Sequence, residues 1–204
     1  MDGGVLLVLV VLLAAALRVA TPVLLAALGE LFAERAGILN LGVEGIMMAG
    51  ALAGFVMAQR SGSLAWGLAG AVVTGLAAGL LMALLSVYLG LNQHVSGLGI
   101  TLLGTGLSLY FYRLLYGGLS IPPRIEPFGR VGMPDTLGAL KLLLEQYTLT
   151  YVALALVPLV WWVLHRTRFG LRVRAAGENP EAADVAGVNV FRTRTVALGL
   201  AGIL

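Results

Sequence analysis

The chain alternates between long apolar runs and short polar segments. Five runs are near or above the ~20 residues with which a helix crosses a bilayer; they cover residues 5–28, 41–58, 64–91, 97–116 and 148–164. They lack the short alternation of polar and apolar positions that is typical of lipid-facing barrel strands. Because every backbone N–H and C=O in hydrocarbon must be paired within its own segment, the pattern predicts an all-α bundle of membrane-spanning helices.

A sixth apolar run begins at Val196 and reaches Leu204 after nine residues. Nine residues are less than half of what a span needs. We therefore expect five spans and the start of a sixth, in a sequence truncated at its C-terminus. Residues 1–204 are predicted to form a single transmembrane domain.

The basic residues predict the orientation, since short loops rich in Lys and Arg stay in the cytoplasm. The segment 165–195 holds six arginines, whereas the cationic residues of the segment 117–147 are balanced by acidic ones. The first is therefore predicted to be cytoplasmic and the second extracytoplasmic. Counting back through the spans makes 29–40 a cytoplasmic loop and places the N-terminus, Met1 and Asp2, outside.

Composition supports a membrane protein and excludes other classes. Only 11% of the residues are charged, against about 25% in soluble domains. There is no cysteine for a disulfide framework or a Cys-based zinc site. No basic cluster is large enough for a nucleic-acid groove, so lipid and not nucleic acid is the expected surrounding.

Polar residues interrupt the apolar pattern in the segment 29–45. Asn40 and Glu44 lie close to or inside an apolar run, and Gly37 and Gly42 permit a break in the helix. Polar groups at membrane depth persist where they pair, face a cavity or line a path for a hydrophilic solute. The alternative is a cytoplasmic elbow whose charged side chains are simply solvated, and the spacing leaves both open. Of these polar residues, Glu44 is the one least compatible with a solvated elbow, because it lies inside the following apolar run.

A second polar segment, 170–190, has the pattern of a short capped helix. Asn179 suits the N-cap, Pro180 the first helical position, Glu181 the positive end of the helix dipole and Gly187 a left-handed stop. Two turns are not stable alone in water. This helix is therefore expected to pack against its own membrane domain or to insert into a groove of a partner, and the pattern favours neither.

The sequence does not predict an enzyme. His94 and His165 lie at the ends of apolar runs, without a nucleophile or paired carboxylate at a useful spacing. The phosphate-binding pattern G-x-x-x-x-G-K-[ST] is absent. We expect this chain to bind no cofactor, and any ATP to be used by another chain.

Three separated stretches together carry a resemblance. They are ERAGILNLGVEGIMMAGALAG at 34–54, QHVSGLGITLLGTG at 93–106 and GENPEAADVAGVNV at 177–190. With them the chain resembles the permeases of ATP-binding-cassette importers of the ribose and branched-chain amino acid type, nearest to the simple-sugar and nucleoside branch.

The resemblance implies a permease in the bacterial plasma membrane that works with other proteins. These are an ATP-binding-cassette ATPase, a second permease subunit, identical or different, and an extracytoplasmic solute-binding lipoprotein. The helix at 180–186 would be the coupling helix that docks on the ATPase. The residues so implicated are Gly177, Glu178, Asn179, Pro180, Ala183 and Gly187 for coupling, and Asn40, Glu44, Gln93, Ser96 and Gly97 for the translocation pathway.

The expected function is import of a small polar solute, a nucleoside first and a simple sugar second. Both are uncharged and rich in hydroxyl groups, which suits a pathway of amides and glycines. One alternative is an ion-coupled secondary transporter, for which Glu44 is the candidate intramembrane carboxylate. Another is a permease fragment without function, and an intramembrane enzyme is disfavoured by the lack of a nucleophile and base.

Overall fold

The computed structural model describes residues 3–121, 123–134, 136 and 139–204. Met1 and Asp2, on which the prediction for the N-terminus falls, lie outside the described residues. Within the described part the chain forms helices and no strands. The helices are α1 (Gly3–Arg35), α2 (Val43–Ser61), α3 (Leu64–Ala83), α4 (Gln93–Tyr116), α5 (Ala139–Leu144), α6 (Thr148–Arg166), α7 (Arg168–Glu178), α8 (Pro180–Val185) and α9 (Val190–Ile203). A π-helical turn, Leu84–Tyr88, continues α3.

The predicted membrane bundle is confirmed. Among the described residues, four helices are long and apolar enough to cross a membrane: Leu7–Arg35, Leu64–Tyr88, Gln93–Tyr116 and Thr148–Arg166. The second predicted run forms a helix of 19 residues, α2. It falls short of these four in mean hydropathy because Glu44 lies near its start and Gln59 and Arg60 near its end. The sixth run forms the C-terminal part of α9.

The prediction of a loop at 29–40 is wrong in its first half, because α1 continues to Arg35. Gly29 does not end the helix but packs against α9, where a Cβ atom would lie 2.6 Å from the carbonyl oxygen of Ala201. Two residues after the last helical residue, Arg35, the chain turns at Gly37, whose φ of 80° is left-handed. The N–H of Ile38 then reaches back to the carbonyl of Ala33 at 3.0 Å, as in a Schellman motif. Only residues 36–42, here called the elbow, separate α1 from α2.

The chain forms two compact units, which share α1 and α6. The first comprises residues 1–25 and 126–160. In it, the Thr21 hydroxyl of α1 donates to the Thr150 hydroxyl of α6 at 3.0 Å, and both residues are buried. Nε of Arg18 donates to the side-chain oxygen of Gln146 at 3.1 Å, so the arginine inside α1 has a polar partner near the start of α6.

The predicted extracytoplasmic segment belongs mostly to this first unit. It contains α5, while Leu137 and Gly138 lie outside the described residues. Arg130 and Tyr147 form an isolated antiparallel bridge, and the guanidinium carbon of Arg130 lies 5.1 Å from the Tyr147 ring centroid. The hydrogen bond and positive charge of Arg130 lower the pKa of the Tyr147 phenol from its ordinary value.

The second unit, residues 26–125 and 161–204, contains the elbow and α2, α3, α4 and α9. Glycines allow its helices to approach closely, which is typical of small residues in membrane helices. A Cβ atom on Gly54 of α2 would lie 3.1 Å from the carbonyl oxygen of Gly67 on α3. Gly75 and Gly79 of α3 pack in the same way on α9. A buried apolar cluster fills the centre of this unit: Ala33, Ile38, Ile46, Met82, Ala83, Ile100 and Leu198.

Candidate functional site

The elbow is fixed to α1 through Asn40. This residue is only 3% exposed, and its backbone N–H donates to Oε1 of Glu30 at 2.8 Å. Its side-chain Oδ1 accepts the N–H of Gly42 at 3.0 Å, a local bond that favours a turn over helix. Asn40 therefore both interrupts the helix and anchors the elbow.

Helix α4 also contacts the elbow, through two hydrogen bonds. Oε1 of Gln93 accepts the N–H of Leu39 at 2.8 Å, and the Thr101 hydroxyl donates to the carbonyl of Leu41 at 2.8 Å. Between these bonds a Cβ atom on Gly97 would lie 2.8 Å from the backbone nitrogen of Leu41. A larger residue would separate α4 from the elbow.

Three buried side-chain atoms around the elbow have no hydrogen-bond partner among the described residues: Oε2 of Glu30, Nδ2 of Asn40 and Oγ of Ser96. A buried polar atom without a partner costs about 1–3 kcal/mol. Oε2 of Glu30 is an acceptor, Nδ2 of Asn40 is a donor, and the Ser96 hydroxyl can do both. The chemistry suits water or an uncharged solute.

The structure brings only part of the predicted pathway set together. Asn40, Gln93 and Gly97 meet at the elbow, and Ser96 is buried beside Gly97 without a bond to it. Glu44 is exposed in the first turn of α2, where a carboxylate favours the positive end of the helix dipole. The carboxylate that contacts the elbow is that of Glu30.

The caps predicted for the short helix at 180–186 are confirmed. Oδ1 of Asn179 accepts the N–H of Ala182 at 3.0 Å, and Pro180 is the first residue of α8. Gly187 has a φ of 83°, and the N–H of Val188 reaches back to the Ala183 carbonyl at 2.9 Å. These bonds stabilise a helix of about 9 Å.

One side of α8 packs on its own chain and the other faces outward. Ala183 is buried against Ala176 of α7 and Val190 of α9. On the outward side Glu181 is exposed, and Val185 is 92% exposed. The first of the two expectations for this helix, packing against its own domain, is therefore observed for one face.

Helix α7 meets the elbow through two glycines. A Cβ atom on Gly177 would lie 3.0 Å from the backbone nitrogen of Gly37, and one on Gly37 would lie 3.1 Å from the Cα of Gly177. Glu178, the next residue, ends α7 and is exposed. The start of the predicted coupling segment thus touches the elbow directly.

Sequence reasoning did not single out three residues that bond to the elbow: Glu30, Thr101 and Arg194, whose Nε donates to the carbonyl oxygen of Ala36 at 3.1 Å. Glu30 is one of several polar residues in the segment 29–45, and Arg194 is one of six arginines in the segment 165–195. Thr101 lies within an apolar run, and no pattern distinguishes its hydroxyl from one that bonds only to its own helix. Arg194 differs from its exposed neighbour Arg192 in being partly buried, and its place just before the last apolar run was the available signal.

Comparison with known proteins finds one matching family and several similar proteins that are described as transport permeases. The family described as "Branched-chain amino acid transport system / permease component" matches residues 12–204. The chain is 42% identical to a "Putative glucose ABC transporter permease protein" of Haloferax volcanii, over 94% of this chain and 59% of that protein. It is 34% identical to the guanosine ABC transporter permease protein of Bacillus subtilis, over 96% of this chain and 65% of that protein. It is also 34% identical to the nucleoside ABC transporter permease protein of Lactococcus lactis subsp. cremoris, over 90% of this chain and 61% of that protein.

The chain spans about three fifths of the length of the curated relatives it matches. No solved structure matches it significantly. The family match extends over nearly the whole chain, and it includes the elbow, the start of α4 and the capped helix α8. The chain therefore belongs to the branched-chain amino acid transport system permease family.

Proposed function

We propose that the chain is a transmembrane subunit of an ATP-binding-cassette importer that moves a small, uncharged, polar solute into the cytoplasm. The family match carries this proposal. Relatives named as guanosine, nucleoside and glucose permeases indicate a nucleoside or a simple sugar. The free donor and acceptor atoms of Asn40, Glu30 and Ser96 support that chemistry, since hydroxyl groups pair with both kinds.

The proposal includes three partners and a location. An ATPase subunit supplies the energy, a second permease subunit completes the membrane part and an extracytoplasmic lipoprotein delivers the solute. The plasma membrane of a bacterium is the proposed location. The apolar helices support a membrane location.

The outward face of α8 is the proposed ATPase contact. Val185 is 92% exposed, whereas the opposite side of the helix is buried through Ala183. Because one side of α8 is packed on its own chain and the other side is free, a partner that binds the free side can displace the helix without unfolding it. Such an element fits the insertion of a helix into a groove of a partner.

A charge on this face tests the contact. In the assembled transporter, Val185→Asp should reduce the solute-stimulated ATPase rate at least tenfold, because an apolar contact is replaced by a buried charge. Val131→Asp is the matched control, since Val131 is an exposed valine of the other long loop. Equal stimulation in both variants would contradict the assignment of α8.

A further inference from the structure

Arg194 of α9 joins two helix ends that belong to different parts of the chain. Its Nε donates to the carbonyl oxygen of Ala36 at 3.1 Å. Its Nη2 donates to the carbonyl oxygen of Ala176 at 3.3 Å. Ala36 follows the last residue of α1, and Ala176 lies in the last turn of α7.

The C-terminal carbonyls of a helix have no partner within the helix and carry the negative end of its dipole. A guanidinium is suited to this position because it is always charged and presents five donors in a fixed fork. Arg194 thus satisfies two helix C-termini with one side chain. The fork geometry makes this arrangement specific for arginine, because the ammonium of a lysine is a point charge.

The contact beside Arg194 is close enough to transmit a displacement. A Cβ atom on Gly177 would collide with the carbonyl oxygen of Arg35, and one on Gly37 would lie 3.1 Å from the Cα of Gly177 and 3.2 Å from Nη2 of Arg194. On the other side α7 is joined to α8 by the buried contact of Ala176 with Ala183. Helices α7 and α8 are therefore tied to the elbow and not only to α9.

The elbow in turn positions the polar atoms of the candidate pathway. Its Leu39 N–H is held by Gln93 at 2.8 Å, and its Asn40 N–H by Glu30 at 2.8 Å. A continuous set of contacts therefore runs from the outward face of α8, through α7 and Arg194, to the elbow and the first turn of α4.

We propose that Arg194 is the positioning residue that couples movement of α8 to the elbow, so that the pathway atoms of Asn40 and Gln93 shift when the ATPase moves α8. This inference rests on the proposed function. Coupling between α8 and the elbow is measured directly as the response of ATPase activity to solute.

Arg194→Gln and Arg194→Lys in the assembled transporter provide that test, with Arg192→Gln as the matched control on the exposed side of α9. Couplings carried by single residues correspond to changes of about two- to thirtyfold. We expect both Arg194 variants to lower solute-stimulated ATPase activity and uptake by a factor in this range, while basal ATPase activity and assembly stay as in the control. Stimulation equal to that of Arg192→Gln would overturn the proposal.

A second measurement does not depend on a functional variant. Because the sequence contains no cysteine, spin labels can be placed at Leu39→Cys on the elbow and Leu171→Cys on α7, both exposed positions. The elbow and α7 should keep the same mean distance in the nucleotide-free and ATP-bound transporter, and the distribution should broaden in Arg194→Gln. A change of the mean distance between the two states in the otherwise unchanged protein would also overturn the proposal.

The ATPase contact of α8 and the role of Arg194 are tested separately by these variants. If Val185→Asp leaves stimulation unchanged, the proposed ATPase contact of α8 is wrong. If Val185→Asp uncouples the transporter while the Arg194 variants behave as Arg192→Gln, the contact stands and the role of Arg194 is wrong.

Discussion

The side-chain oxygen of Gln93 accepts the backbone N–H of Leu39 at 2.8 Å. This single bond connects the first turn of α4 to the elbow, 54 positions earlier in the sequence. Because the bond is exposed, water can replace it at small cost. The bond therefore contributes little to stability but holds the elbow in place against α4. A change at Gln93 should affect transport more than stability.

Gln93→Ala tests this distinction. We expect the free energy of unfolding to fall by less than about 1 kcal/mol, since an exposed N–H can pair with water, and solute uptake to fall more strongly. Gln59→Ala is the control, because Gln59 accepts a hydrogen bond from Tyr116 between α2 and α4 at 2.7 Å. Uptake and thermal stability in detergent are measured for both. Equal uptake in the two variants would remove Gln93 from the pathway set.

Glu30 should matter more than Glu34, although both lie near the end of α1. Glu30→Ala leaves the partly buried N–H of Asn40 without its acceptor, and we expect a loss of about 1–3 kcal/mol in stability. Glu30→Gln keeps an acceptor and should lose less. Glu34 is exposed, so Glu34→Ala should be close to neutral. Chemical unfolding of the three variants measures the order, and a neutral Glu30→Ala would contradict the described anchor.

Gly97→Ala and Gly99→Ala form a matched pair on α4. A Cβ atom at Gly97 would lie 2.8 Å from the Leu41 nitrogen, whereas at Gly99 nothing lies within 4 Å. We expect Gly97→Ala to destabilise the protein by about 1–3 kcal/mol, because backbone must move. Gly99→Ala should be neutral or stabilise by up to about 1 kcal/mol through helix propensity. Thermal unfolding in detergent distinguishes them, and the reverse order would contradict the close approach of α4 to the elbow.

Asn179→Ala should weaken α8 by removing its N-cap. The lost bond to the Ala182 N–H is worth about 0.5–2 kcal/mol. We expect faster hydrogen exchange in residues 180–186 and weaker ATPase stimulation. Asn179→Asp keeps the cap and should retain both. If the alanine variant exchanges as slowly as the aspartate variant, the cap does not order the helix.

Local patterns were sufficient for much of the fold. The apolar runs at 64–91, 97–116 and 148–164 became helices close to their predicted bounds, because hydropathy and length directly reflect the bilayer. The caps of α8 were predictable for a similar reason. Asn179, Pro180 and Gly187 act on backbone atoms only a few residues away.

The rest depends on contacts between distant residues. The end of the apolar run at residue 28 predicted a loop at 29–40, but α1 continues to Arg35, with Gly29 packed against Ala201. Glu44 was predicted as a pathway residue because it interrupts an apolar run. Glu30 contacts the elbow only because the chain turns back at Gly37, which its own position in the sequence does not show. Arg194 reaches Ala36, 158 positions away, which no local pattern can show.

Uptake into proteoliposomes distinguishes an ATP-driven importer from an ion-coupled transporter. The transporter would be reconstituted with its ATPase, second permease subunit and lipoprotein, and accumulation of labelled guanosine and labelled glucose followed with and without ATP. We predict accumulation of one of these solutes that requires ATP and is unaffected when proton and sodium gradients are dissipated. Accumulation without ATP that collapses with an ion gradient would contradict an ATP-driven importer and favour an ion-coupled transporter.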